Sequence, residues 1–133
     1  YDIIVMADAV ADFAPKKKAS EKIKKTEGNL SLELVKTKDI LLKAGELKSK
    51  KQTLVGFALE TNNEKKNAIK KLSAKNADMI VLNSLNDDGA GFGYDTNKIA
   101  IFDNNHNEYQ FPAKTKKEVA ADIVNTIIQY RNE

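Results

Sequence analysis

The chain has 133 residues and a net charge of +3, from 22 Lys or Arg against 19 Asp or Glu, with no cysteine and one histidine. That length supports a single domain, residues 1–133, whose core needs no covalent staple, and the composition excludes disulfides, a thiolate nucleophile and Cys-ligated zinc. No apolar run approaches the ~20 residues that span a bilayer and no signal-peptide pattern occurs, so a soluble, cytoplasmic protein with no membrane partner is expected.

Taken in chain order, Ile3-Ile4-Val5-Met6-Ala7 is an uninterrupted apolar run that reads as a buried strand. Asp12, in Asp12-Phe13-Ala14-Pro15, then falls just past its carboxyl end, the rim at which open α/β sheets bind ligands. Pro15 and Lys16-Lys17-Lys18-Ala19-Ser20 lead into Lys22-Ile23-Lys24-Lys25, a stretch too polar to bury and suited to a loop that closes over a ligand. Leu30, Leu32 and Leu34 alternate with Ser31 and Glu33, the period of a half-exposed strand. Ile40, Leu41, Ala44 and Leu47 follow at helical spacing, with Asp39 in the first turn where the helix dipole favours a carboxylate.

Thr53 to Leu59 is a second continuous apolar strand. Thr61 and Glu64 stand at capping-box spacing and predict a helix reaching about Lys75. Asp78 to Leu82 reads as a third buried strand, and Lys98 to Phe102 alternates before a turn at Asn104-Asn105 into Tyr109-Gln110-Phe111. Thr115 and Glu118 repeat the capping box, and Val119, Ala120, Ile123, Val124, Ile127 and Ile128 give the last helix a core face. Apolar strands between helices predict a three-layer, Rossmann-like α/β fold. Its mostly parallel sheet carries helices on both faces, with a short antiparallel hairpin extension.

The lysines cluster unevenly, and such clusters ordinarily mark a solvated face. Nucleic acid is the obvious rival, but a single arginine and the lack of interleaved aromatics argue against it. Lysine serves phosphate as a point charge, so a phosphorylated small molecule suits this composition better. Lys71 and Lys75, four apart on one helix side, tolerate a mild like-charge repulsion, which points weakly to an anion. Asp12 alone reads equally well as a turn residue, Phe57 as core, and His106 in Asp103-Asn104-Asn105-His106-Asn107 as a turn residue without a catalytic partner. Gly89-Ala90-Gly91-Phe92-Gly93 lacks dinucleotide-fingerprint spacing and precedes an alternating strand, so it reads as a loop. No Ser-His-Asp set, zinc-ligand spacing or Walker A loop occurs, and the metal ligands stay unknown. Pattern alone reaches an α/β domain for a phosphorylated ligand.

Beyond pattern, a set of motifs occurs in the order found in phosphopantothenate–cysteine ligase. They are Ala9-Val10-Ala11-Asp12-Phe13, Lys22-Ile23-Lys24-Lys25, Lys38-Asp39-Ile40-Leu41, Val55-Gly56-Phe57-Ala58-Leu59-Glu60-Thr61, and Gly91-Phe92-Gly93 with Asp95 and Asn97. Essentially the whole chain resembles this family, the C-terminal part of a bifunctional DNA/pantothenate metabolism flavoprotein of coenzyme A synthesis. The Lys-x-Lys-Lys element favours its bacterial, CTP-using branch. The resemblance implies that the carboxylate of 4'-phosphopantothenate attacks the α-phosphate of CTP, and that cysteine's amine then displaces CMP from the acyl-cytidylate. It implies Mg²⁺ with CTP, a homodimer, and FMN only in a decarboxylase half outside this chain.

By matching motif, Met6, Ala7, Asp8 and Asp12 would touch the nucleotide or its cation. Lys22 would act catalytically, neutralising the phosphates and the activated intermediate from a closing flap. Lys38, Asp39, Ile40 and Leu41 would line the pocket at a helix N-terminus, and Phe57, Lys71 and Lys75 would complete the nucleotide contacts. Thr37-Lys38 departs from the Asn-Pro that is common in the family before Asp-Ile. The chain starts one residue before a strand with no initiator methionine, so it is expected to be a fragment without the family's upstream glycine-serine segment and its asparagine. Activity is expected of the full protein rather than of this stretch by itself. A non-catalytic nucleotide-binding module and a basic nucleic-acid binder are the alternative classes.

Overall fold

A five-stranded mixed sheet with helices on both faces organises the chain, as seen in a computed structural model that describes residues 1–24, 29–84 and 95–132. The strands are β1 (Ile3–Met6), β4 (Thr53–Glu60), β5 (Met79–Ser84), β6 (Thr96–Asp103) and β7 (Glu108–Thr115), lying side by side in that order. β1, β4 and β5 run parallel, while β6 and β7 return antiparallel. A separate two-stranded antiparallel hairpin joins β2 (Phe13–Pro15) to β3 (Leu34–Lys36). Parallel neighbours need a crossover. The crossover from β1 to β4 carries the hairpin and helix α1 (Ile40–Leu47), and that from β4 to β5 is helix α2 (Glu64–Ala74). Helix α3 (Lys116–Asn132) closes the chain.

Two apolar clusters, one on each face of the sheet, hold these layers together. Leu54, Ala58, Ile80 and Leu82 pack with Ala68 and Leu72 of α2, and Leu41 and Ala44 of α1 join that side. Val55, Met79, Val81, Ile99 and Ile101 meet Val119, Ile123 and Ile127 of α3 on the other. Successive strand residues point to opposite faces, so β4 and β5 are buried throughout most of their length because both faces are covered.

Several sequence expectations are corrected here. β1 is not a buried strand: it is the sheet's edge among the described residues, bonded to β4 alone, and Ile3 and Val5 stay 40% and 46% exposed on the α3 side. An apolar run cannot distinguish an edge from a centre, because that depends on its neighbours. Leu30 and Leu32 lie outside the strand, which shrinks to Leu34–Lys36. β6 does not alternate; it is buried from Ile99 to Asp103 because β5 and β7 flank it and helices cover both sides. The Thr61–Glu64 capping box gives way to Asn63 as N-cap of α2, in the left-handed region at φ 49° and without a side-chain cap bond.

The other box forms as read: the Thr115 N–H donates to Glu118 Oε2 at 3.0 Å and the Glu118 N–H to Thr115 Oγ1 at 3.3 Å. His106 lies in the β6–β7 turn at φ 68°. The glycine-rich segment 89–93 and Lys25 lie outside the described residues.

Candidate functional site

A cleft of about 480 Å³ opens at the carboxyl end of β1 and β4, between the sheet rim, α1 and α2. Its position follows from the fold, since both parallel strands release their loops at this rim. Met6 ends β1 on its wall, and Asp8 and Asp12 follow from the loop. Asp8 Oδ1 accepts from the Ala9 N–H at 2.9 Å, which folds the loop back on itself.

Thr37 ties the loop after β1 to the approach of α1. Its hydroxyl donates to the Ala11 carbonyl at 2.5 Å and its N–H to the Asp12 carbonyl at 2.9 Å. These two bonds fasten the Asp12 segment beside the start of α1.

The N-terminus of α1 forms the facing wall with Lys38, Asp39, Ile40 and Leu41. Asp39 is the N-cap, its Oδ1 accepting the Leu42 N–H at 2.8 Å, while its other oxygen is paired with Lys75. Those bonds to Lys75 first, then to Leu42, hold the Asp39 carboxyl below the ordinary carboxylate range. The pair links the N-cap of α1, where Asp39 stands rather than in the first turn, to the residue that follows α2.

Two glycines make this helix placement possible. A Cβ on Gly56 would come within 2.7 Å of Leu41 Cδ2, so its absence lets Leu41 seat against β4. A Cβ on Gly45 would stand 1.9 Å from the Lys75 carbonyl oxygen, so α1 meets the end of α2 backbone to backbone. Asn76 Nδ2 seals the contact by donating to the Gly45 carbonyl at 2.8 Å.

Phe57 from β4, Lys71 from α2 and Lys75 just past its end complete the wall among the residues singled out from sequence. Ala7 and Lys22 are not on it. Lys22 stands in the exposed stretch between β2 and β3, off the cleft in this conformation. Sequence reasoning overlooked Val10, Glu60, Asn67, Lys70 and Ala74, which also line the cleft, and did not foresee Thr37 as lining. Glu60 and Asn67 meet at 2.9 Å, a pairing seven residues apart that only the strand–turn–helix geometry creates. The helical spacing of Asn67, Lys71 and Lys75 was the available signal for Asn67.

The wall carries four carboxylates (Asp8, Asp12, Asp39, Glu60) and four lysines (Lys38, Lys70, Lys71, Lys75). It is therefore close to neutral, and one lysine is already committed to Asp39. A polyanion here would need further positive charge, from a cation or from the lysines of residues 16–24. No group of three or more His, Cys, Asp or Glu side chains able to hold a metal exists among the described residues. No helix there is long and apolar enough to cross a membrane.

The chain is 53% identical over 96% of its length to a protein from an unknown prokaryotic organism named cysteine/cysteine sulfinic acid decarboxylase. It is 46% identical over 95% of its length to the coenzyme A biosynthesis bifunctional protein CoaBC of Bacillus subtilis, and 39% identical over 96% to that of Haemophilus influenzae. It spans 35%, 31% and 31% of these relatives, about a third of each. Among solved structures, the C-terminal domain of a CoaBC protein superposes with a TM-score of 0.74 at 38% identity, covering 99% of this chain and 58% of that one. A DNA/pantothenate metabolism flavoprotein from Streptococcus pneumoniae shares the fold with a TM-score of 0.71 at 22% identity, over 98% of this chain and 64% of the other. Residues 1–130 match the family described as the DNA/pantothenate metabolism flavoprotein C-terminal domain, and the chain belongs to that family.

Proposed function

We propose that this chain is the nucleotide-binding part of a CTP-dependent phosphopantothenate–cysteine ligase acting in coenzyme A biosynthesis. The observation that carries the reading is the single cleft that gathers Asp12, the N-terminus of α1, Phe57, Lys71 and Lys75 at the carboxyl rim of the parallel strands. Relatives named for coenzyme A biosynthesis support the pathway.

In this reading the nucleoside lies along Lys38–Leu41, where free backbone N–H groups of a helix start suit polar or anionic groups. Lys71 and Lys75 face the phosphates. The wall's charges nearly cancel, so closure of residues 16–24 would bring Lys22 to the α-phosphate, where charge grows as the substrate carboxylate attacks. Mg²⁺ would offset triphosphate charge. Asp8 and Asp12, both on the cleft wall, are the carboxylates that would hold such an ion. FMN has no role in this chain under the proposal.

The protein's own contribution is positioning and electrostatics. The carboxylate of 4'-phosphopantothenate displaces pyrophosphate from CTP to give the acyl-cytidylate. The amine of cysteine then displaces CMP and forms the amide. A homodimer is proposed with the family.

The test uses the full-length parent with CTP, 4'-phosphopantothenate and cysteine, read by amide product and pyrophosphate. Lys22→Gln is expected to lose turnover; a variant as fast as wild type removes Lys22 from the mechanism. CTP-induced thermal stabilisation without turnover would instead identify a binding module.

A further inference from the structure

We infer that Glu60 is the group that receives the amine of the amino-acid substrate, an assignment that rests on the ligase reading above. Glu60 ends β4 and is half-buried at the cleft. Strand alternation places it on the same face as Leu54 and Ala58, toward α2. Asn67 donates from Nδ2 to Glu60 Oε2 at 2.9 Å and to the Asn62 carbonyl at 3.0 Å, so the carboxylate is oriented by an amide that is itself tied to the backbone.

What distinguishes Glu60 is the neutrality of that partner. Asp39 is already engaged by Lys75 and by the cap it forms, and Asp8 and Asp12, on the loop after β1, are the carboxylates the reading above gives to the cation or nucleotide. Among the described residues no lysine lies within ion-pair distance of Glu60, although Lys70 and Lys71 line the same cleft. A carboxylate accepts at two oxygens, and one neutral donor leaves most of that capacity unused. An ionised oxygen facing a cleft attracts a cationic donor and repels phosphate, and of the proposed reactants only the amino acid brings an ammonium group.

The chemistry balances without a further reagent. The ammonium of cysteine, held at Glu60, gives one proton to solvent. The neutral nitrogen forms its bond to the acyl carbon, the bond from that carbon to the phosphate oxygen breaks, and CMP leaves with the electron pair. The nitrogen's extra proton goes to water.

The experiment is steady-state kinetics of the full-length parent carrying Glu60→Gln, with pyrophosphate release and amide formation followed separately. A rise of tenfold or more in the KM for cysteine is expected, with KM for CTP and the rate of pyrophosphate release within twofold of wild type, and Glu60→Asp falling between. An unchanged KM for cysteine overturns the assignment, and so does a shift confined to the Mg²⁺ or CTP dependence. If Glu60→Gln loses both steps, Asn67→Ala replaces it, since it removes only the orienting amide; an unaltered KM for cysteine there is equally fatal. A wild-type parent that releases no pyrophosphate from CTP sinks the ligase reading itself, an outcome distinct from failure of Glu60 alone.

Discussion

Replacing Gly45 by alanine should destabilise this protein, although the same change in an ordinary helix interior stabilises by about 1 kcal/mol. Gly45 is buried in α1. Its missing Cβ would lie 1.9 Å from the backbone oxygen and 3.0 Å from the carbonyl carbon of Lys75. A backbone carbonyl cannot rotate away like a side chain, so α1 must retreat from α2. Overpacking of this kind costs about 1–3 kcal/mol, and the Asn76 bond to the Gly45 carbonyl, worth about 1 kcal/mol, stretches with it. Set against the propensity gain, the net loss is about 2 kcal/mol. For a chain of this size that lowers Tm by roughly 6–10 °C. The retreat also pulls Asp39 from Lys75 and should weaken nucleotide binding. Thermal and urea unfolding of the variant beside wild type decide the matter. A Tm equal to or above wild type would refute the backbone-to-backbone account of the α1–α2 contact.

Other outcomes follow from single contacts. Lys48 donates to both oxygens of Asp78 at 2.7 and 2.8 Å with both side chains about nine-tenths buried, so Lys48→Ala leaves a buried carboxylate without its cation and should cost about 3 kcal/mol in urea unfolding; a loss within error of zero contradicts this. Thr115→Ala removes the N-cap of α3 and should cost about 1 kcal/mol, and an unchanged midpoint would show that the box carries no stability. The carboxyl of Asp39 is lowered in the folded chain, so its stabilising contribution is present above about pH 4 and is lost as pH falls through the folded value. The stability gap between wild type and Asp39→Asn should therefore close in acid; a gap constant down to roughly pH 2 would remove the Lys75 pair as its cause.

Much of the scaffold could be read from residue pattern because its causes are local. The continuous apolar runs of β4 and β5 require cover on both faces, and the Thr115–Glu118 box announces α3 through a reciprocal bond four residues wide. Position within the sheet is a different matter. Ile3-Ile4-Val5-Met6 carries the same signature as a central strand, yet its exposure is set by which strand lies beside it. Thr61 and Glu64 have the right spacing for a box, but Asn63 accepts the left-handed backbone that the tight β4–α2 turn demands, and the helix starts there.

At the cleft, motif resemblance pointed to most of the lining, because Met6, Asp12, Lys38–Leu41 and Phe57 occur in contiguous short segments. It did not reveal Glu60 with Asn67, or the tie from Thr37 to the Asp12 segment. Those contacts join residues 7 and 25 to 26 apart, and their distances exist only after folding. Lys22 shows the opposite limit: the motif is plain in the sequence, while the structure holds the residue off the cleft.

The central claim is that the cleft between α1, α2 and the sheet rim receives a cytidine triphosphate, and a crystal structure of the full-length parent with CTP and Mg²⁺ tests it most directly. The account predicts phosphate density within contact of Lys71 and Lys75, the nucleoside against Lys38–Leu41, and Asp12 beside the cation or nucleotide. A nucleotide seated elsewhere, with those side chains unchanged and empty-handed, would contradict it.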